Sequence, residues 1–131
     1  MRLHNLWIIA VVLAGISFSG CAKKADPKRP IEKIQKEVVT MSVADLESKA
    51  SAYAAAVRLQ KAEIMKIQQQ IKKMPVEKVF SDKTLTRKIA GIGREAEALF
   101  ERYRIYVGAL QEKGGDVSKV QIDLPPEADK K

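Results

Sequence analysis

Val43-Ala44-Asp45-Leu46-Glu47-Ser48-Lys49-Ala50-Ser51-Ala52-Tyr53-Ala54-Ala55-Ala56-Val57 opens a run whose apolar residues recur alternately three and four positions apart. The stripe Val43, Leu46, Ala50, Tyr53, Val57 continues through Ile64, Ile67, Ile71 and Met74, with Gln60 its one polar member. Steps of three and four keep a residue of each turn on the same side of an α-helix, so the pattern predicts a long helix with an apolar seam. Pro75 ends it, because proline has no amide to donate and disfavours helix in the residue before it. A second seam follows, through Leu85, Ile89, Ile92, Ala96, Leu99, Tyr103, Tyr106 and Leu110. It predicts a helix from about Thr84 to Lys113, stopped by Gly114-Gly115. Each helix would be about 45 Å long at 1.5 Å per residue. The connection from Pro75 to Lys83 is short, which makes the two antiparallel neighbours. Zipping the seams about residue 78 sets Tyr53 opposite Tyr103, Ala50 opposite Tyr106 and Gln60 opposite Ala96. The expected fold class is all-α, an antiparallel two-helix coiled-coil-like hairpin.

Outward from the hairpin the pattern weakens. Ile31, Ile34, Val38 and Met41 carry helical spacing and predict a short third helix on the N-terminal side. Ser42, with Asp45 three residues on, is a capping-box variant that would start the long helix at Val43. No glycine or proline separates the two, so one continuous helix is the alternative. Gly91 and Gly93 interrupt the second helix, either to let another helix or a ligand approach or as tolerated weaknesses. Ala22 to Pro30 is polar, holds two prolines and four basic residues, and reads with Cys21 as a flexible basic tether, 21–30. Asp116 to Lys131 has no helical period; Val120, Ile122 and Leu124 alternate with polar residues, as in a short strand or an extended segment lying along the hairpin. From Pro125-Pro126 the charged end reads as disordered, so 114–131 is expected to be an extended or disordered tail. The hairpin domain then spans 31–113.

The sequence opens with the short basic head Met1-Arg2-Leu3-His4-Asn5, followed by the 13 uncharged residues Leu6 to Phe18. That run is too short to cross a bilayer as a helix and has the length of a secretory signal core. Phe18-Ser19-Gly20-Cys21 follows it. This segment resembles the lipobox of bacterial lipoprotein precursors, with small residues before an obligatory cysteine and Phe18 standing where leucine is usual. The resemblance covers residues 1–21. It implies a signal peptide 1–20, cleavage between Gly20 and Cys21 by signal peptidase II, and acylation of the Cys21 thiol with chains such as palmitate. It further implies an extracytoplasmic place on the cell envelope. Ala22 after the cysteine favours the outer membrane facing the periplasm, with the inner membrane as the alternative. Removal of residues 1–20 would leave 23 basic and 16 acidic residues, a charge of +7, and would take away His4 and Trp7, the only histidine and tryptophan.

The remaining residues offer little reactive chemistry. Metal sites need clustered His, Cys or carboxylates. Glu95, Glu97 and Glu101 come nearest, but Arg94, Arg102 and Arg104 surround them, which reads as surface ion pairing. Nucleophilic catalysis needs a base beside the nucleophile, usually histidine. No enzyme activity, metal or cofactor is therefore expected. The expected role is structural, or a protein-interaction element of the envelope. Its contacts would be the membrane through the N-terminal lipid, an envelope protein or a second copy, and anionic lipid or cell-wall polymer through the basic charge, with nucleic acid removed by export. Phe100 and Val107 lie beside the second seam and would either receive the first helix or, left bare, contact a partner. Lys131 gives a rival reading, since Lys130-Lys131 at the end of a tail resembles the attachment end of small lipoproteins joined to peptidoglycan through a terminal lysine. An accessory subunit of an envelope enzyme or transport complex is a further alternative.

Overall fold

The computed structural model describes residues 25–123. It holds four helices, α1 (Ile31–Thr40), α2 (Val43–Lys72), α3 (Val76–Ser81) and α4 (Lys83–Glu112), followed by a 3-10 turn over Val117–Val120. No strand occurs among the described residues. The chain breaks between α1 and α2 at Met41 and Ser42, both with extended backbone. Ser42 Oγ accepts the Asp45 amide at 3.1 Å and donates to the Asp45 carboxylate at 2.8 Å, so the cap, and no glycine or proline, divides the two helices.

The short connection is itself partly helical. Pro75 starts α3 with its carbonyl accepting from the Lys78 and Val79 amides. The Asp82 carboxylate then accepts from the Thr84 and Leu85 amides at 3.0 and 3.1 Å and starts α4. At the other end of α4, Gly114 adopts φ of +74°, in the left-handed region that glycine enters without a Cβ penalty. The Gly114 amide donates to the Gln111 carbonyl and the Gly115 amide to the Leu110 carbonyl, the Schellman arrangement.

α2 and α4 pack along each other as the antiparallel hairpin, and α1 folds back onto α4. One core results, built from Ile34 and Val38 of α1, Leu46, Ala50, Tyr53, Ala54 and Val57 of α2, Leu99, Tyr103, Tyr106, Ala109 and Leu110 of α4, and Val120 of the 3-10 turn. This core occupies the end of the hairpin away from α3. Towards α3 the seam continues, but only Ile67 is fully buried; Ile64, Ile71, Leu85, Ile89 and Ile92 are half-buried.

Two expectations are corrected, and two open readings are each narrowed to one. The aromatic register differs: Tyr53 stacks on Tyr106, with ring centroids 5.4 Å apart, and Tyr103 turns to the tail. A heptad stripe fixes which residues face the seam, whereas an offset by one turn preserves the facing, so the zip alone does not choose between Tyr103 and Tyr106. Residues 26–30, read as tether, are bound: Asp26 exchanges hydrogen bonds with the Tyr53 hydroxyl and Arg29 pairs with Glu37. Of the open readings of the tail, the segment lying along the hairpin is the one observed. After the 3-10 turn it is bound as far as Asp123, by a buried Val120 and by Arg58 and Lys61 donating to the carbonyls of Gln121 and Asp123. Of the two readings of Gly91 and Gly93, the tolerated weakness is the one observed, since a Cβ at either would meet nothing within 4 Å.

Opposite stability effects are expected at two kinds of glycine. Gly91→Ala and Gly93→Ala should each raise stability by up to about 1 kcal/mol, because they remove helix-interior glycine at no steric cost. Gly115→Ala should lower the melting temperature, because its Cβ would fall 2.2 Å from Leu110 Cδ1. Thermal melts of the three variants check both signs.

Candidate functional site

The most densely bonded part of the molecule lies where the N-terminal segment and the tail cross the hairpin. Arg102 is on the inner face of α4, only 9% exposed. Its Nε donates to the Arg29 carbonyl at 2.8 Å and its Nη1 to the Ala98 carbonyl at 2.7 Å. Arg102 therefore does not join the surface pairing expected around Glu97 and Glu101; its guanidinium satisfies the Arg29 carbonyl, which lies outside the helices, while bracing on the Ala98 carbonyl of its own helix. Glu37 on α1 holds the Arg29 side chain, and that hydrogen bond is the main cause of a raised Arg29 pKa.

Three tyrosines surround this crossing and do different work. The Tyr53 hydroxyl accepts from the Asp26 amide at 3.2 Å and donates to the Asp26 carbonyl at 3.1 Å. The Tyr103 hydroxyl donates to the Val120 carbonyl at 2.7 Å. The Tyr106 hydroxyl is buried without a hydrogen-bond partner among the described residues. At the base of the fold Lys113 Nζ donates to the carbonyls of Val38, Val39 and Met41. A cation thus closes the C-terminal end of α1, where the helix dipole favours positive charge. All of these contacts tie segments of the chain to one another. Among the described residues there is no group of three or more His, Cys, Asp or Glu arranged to hold a metal ion.

Gly20, Cys21 and Lys131 lie outside the described residues. Phe100 and Val107 are half-buried and packed against the core, and Phe100 stacks on Tyr103 at 5.8 Å. With α1 folded onto α4, the condition under which these two would stand bare is not met. The bare apolar side chains are elsewhere. Phe80 on α3 is 86% exposed and Val76, four residues before it, 66%; Val39 on α1 and Leu59 and Met65 on α2 are also exposed, and Val43, the first seam residue, is partly so. Apart from Val43 the seams do not reveal them, because none of the others belongs to a seam; Phe80 and Val76 fall in a stretch read as a loop. A shallow open groove on the outer face of α2, lined by Ala44, Glu47, Ser48, Ser51 and Ala52, has no buried polar group aimed into it. No described helix is long and apolar enough to cross a membrane.

The tyrosines make a graded test. Tyr53→Phe and Tyr103→Phe should each lose about 1 kcal/mol, the net worth of a hydrogen bond in a fold, whereas Tyr106→Phe should cost nothing measurable. Burial raises the pKa of Tyr103 and Tyr106 above the ordinary 10.0. The folded chain therefore holds these protons more tightly than the unfolded chain. Their contribution is complete below that value and lost as the pH rises through it. Tyrosinate absorbance and helical circular dichroism, followed together through alkaline titration, should show late ionisation coupled to loss of helix. The chain matches no family model, no curated protein and no solved structure.

Proposed function

We propose that this chain is a lipid-anchored, non-enzymatic helical lipoprotein, a structural or protein-interaction element of the bacterial cell envelope. The observation that carries the reading is the order of residues 1–21: a basic head, an uncharged apolar run, then Ser19-Gly20-Cys21. Small side chains admit signal peptidase II and the thiol accepts the lipid. The fold suits such an anchor. Only Ala22 to Lys24 separate Cys21 from the first described residue, and from Asp26 onward the chain is tied to Tyr53 and Arg102. The helical body would thus sit within about 14 Å of its lipid, the extended length of four residues. The side chains of Tyr53, Arg102, Tyr103 and Lys113 are occupied in holding the chain together, which suits a scaffold better than a reaction centre.

Metabolic labelling with a palmitate analogue in a bacterial host should mark the chain, and Cys21→Ser should abolish the label and leave the uncleaved precursor. Mass spectrometry finding an unmodified Cys21 behind an intact Met1 would overturn the reading.

A further inference from the structure

The charge of the fold is unevenly placed. Residues 61–94, which make the distal half of the hairpin and α3, hold nine basic and three acidic residues, a net charge of +6. The rest of the described chain, 25–60 and 95–123, holds ten basic and eleven acidic, a net charge of −1. All nine distal basic side chains are exposed. Two of the three acids there are engaged, Glu63 with Lys66 and Asp82 as the cap of α4. At the end of this basic arm stand Val76 and Phe80, four apart on α3 and so on one side of it. Lys72, Lys73, Lys78 and Lys83 flank them in sequence.

We infer that this tip docks on an anionic phospholipid surface, Phe80 and Val76 entering the headgroup layer while the surrounding lysines meet lipid phosphates. A side chain 86% exposed protrudes, so the occupant must be a surface that yields to it. A bilayer does so, and each basic residue near an anionic leaflet raises affinity about fivefold. A second copy is a poor occupant: tip against tip sets +6 against +6, and tip against base finds a body close to neutral. The inference goes beyond the anchored reading and does not require it. Tyr53, where the N-terminal segment is tied down, lies nineteen residues before the end of α2, about 28 Å along the helix axis. The five peptide steps from Cys21 to Asp26 span about 18 Å at most, so anchoring at Cys21 alone does not bring Phe80 into lipid.

The test uses the full chain with Phe80→Trp as a local reporter and Trp7→Phe to silence the native indole. Because the apolar N-terminal run can bind any vesicle, the readout is the environment of position 80 and not sedimentation. Vesicles of phosphatidylglycerol mixed with brominated phosphatidylcholine should shift the emission to the blue and quench it at least twofold. Brominated phosphatidylcholine alone should do neither. Adding Lys73→Glu, Lys78→Glu and Lys83→Glu should weaken the response by about tenfold or more, and 0.5 M salt should reduce it in the unreversed protein, as expected for charges screened over a few ångströms. No response to the anionic vesicles, or an equal response to neutral ones, would overturn the inference. So would a blue shift without vesicles that grows with protein concentration, which would assign the tip to a second copy. A response to a mixed-sequence single-stranded oligonucleotide in place of vesicles would assign it to nucleic acid. Acylation of Cys21 is scored separately by mass, so the two readings fail independently.

Discussion

Two helices lying side by side touch along a line, and an apolar stripe is wider than a line. That constraint organises the molecule. The hairpin buries its seam completely only where a third layer covers it, and the cover is assembled from whatever the chain has on either side: α1, the segment before it, and the 3-10 turn after α4. There Leu46, Ala50, Tyr53, Leu99, Tyr106 and Leu110 are at most 2% exposed. Towards α3 the cover ends, and the same kinds of residue at the same spacing are left half-buried. Burial of a large apolar side chain is worth about 1.5–3 kcal/mol, so most of the hydrophobic stabilisation sits in the covered end.

The cover is held by hydrogen bonds that reach across long stretches of sequence. Tyr53 to Asp26, Arg102 to Arg29, Tyr103 to Val120 and Lys113 to the end of α1 each set a side chain of a long helix against backbone of a covering segment. Short irregular segments leave carbonyls that helices do not satisfy, and burying those groups unpaired would cost more than the apolar contact returns. Long polar side chains projecting from the helices remove that cost. Among the described residues Arg29 Nε and the Tyr106 hydroxyl are buried without a partner, and the Tyr106 ring remains for its stacking area against Tyr53.

The same physics explains what could be read from the residues alone. Periodicity reports elements that repeat a facing, so the two long helices, the short first helix and the hairpin were legible to within a residue or two at their ends. Ser42, Pro75 and Gly114-Gly115 were visible as stops and starts because these signals are local chemistry, whereas Asp82 shows itself as the cap of α4 only in the structure. The ring register was not legible, because sliding one heptad stripe by a turn against another leaves every residue facing the seam. Arg102 was misread because a charge on a helix flanked by acids looks like surface; its burial depends on the carbonyl of Arg29, a residue 73 positions away. Residues 26–30 and 116–123 have no helical period; local turns at Asp26 and Asp116 shape them, and their place on the hairpin comes from side chains they meet in the folded state. Of the functional candidates, Phe100 and Val107 were found by their place beside the seam, which is also why the fold uses them.

A sealed body and an uncovered arm answer to different constraints. Substitutions in the body change packing and clamps together, since Tyr53 and Tyr103 are at once core residues and clamps, Tyr53 with Arg102 on the segment before α1 and Tyr103 on the tail. At the tip, Phe80 and the lysines make few contacts that folding needs, and exposed positions of this kind usually shift stability by no more than about 0.5 kcal/mol. An exposed phenylalanine contributes little to the fold and lowers solubility, while the +6 charge around it works against the compactness of the arm through self-repulsion. Neither feature is explained by stability. A surface that satisfies both at once, apolar just beneath a layer of negative charge, is the simplest environment in which this arm ceases to be a liability.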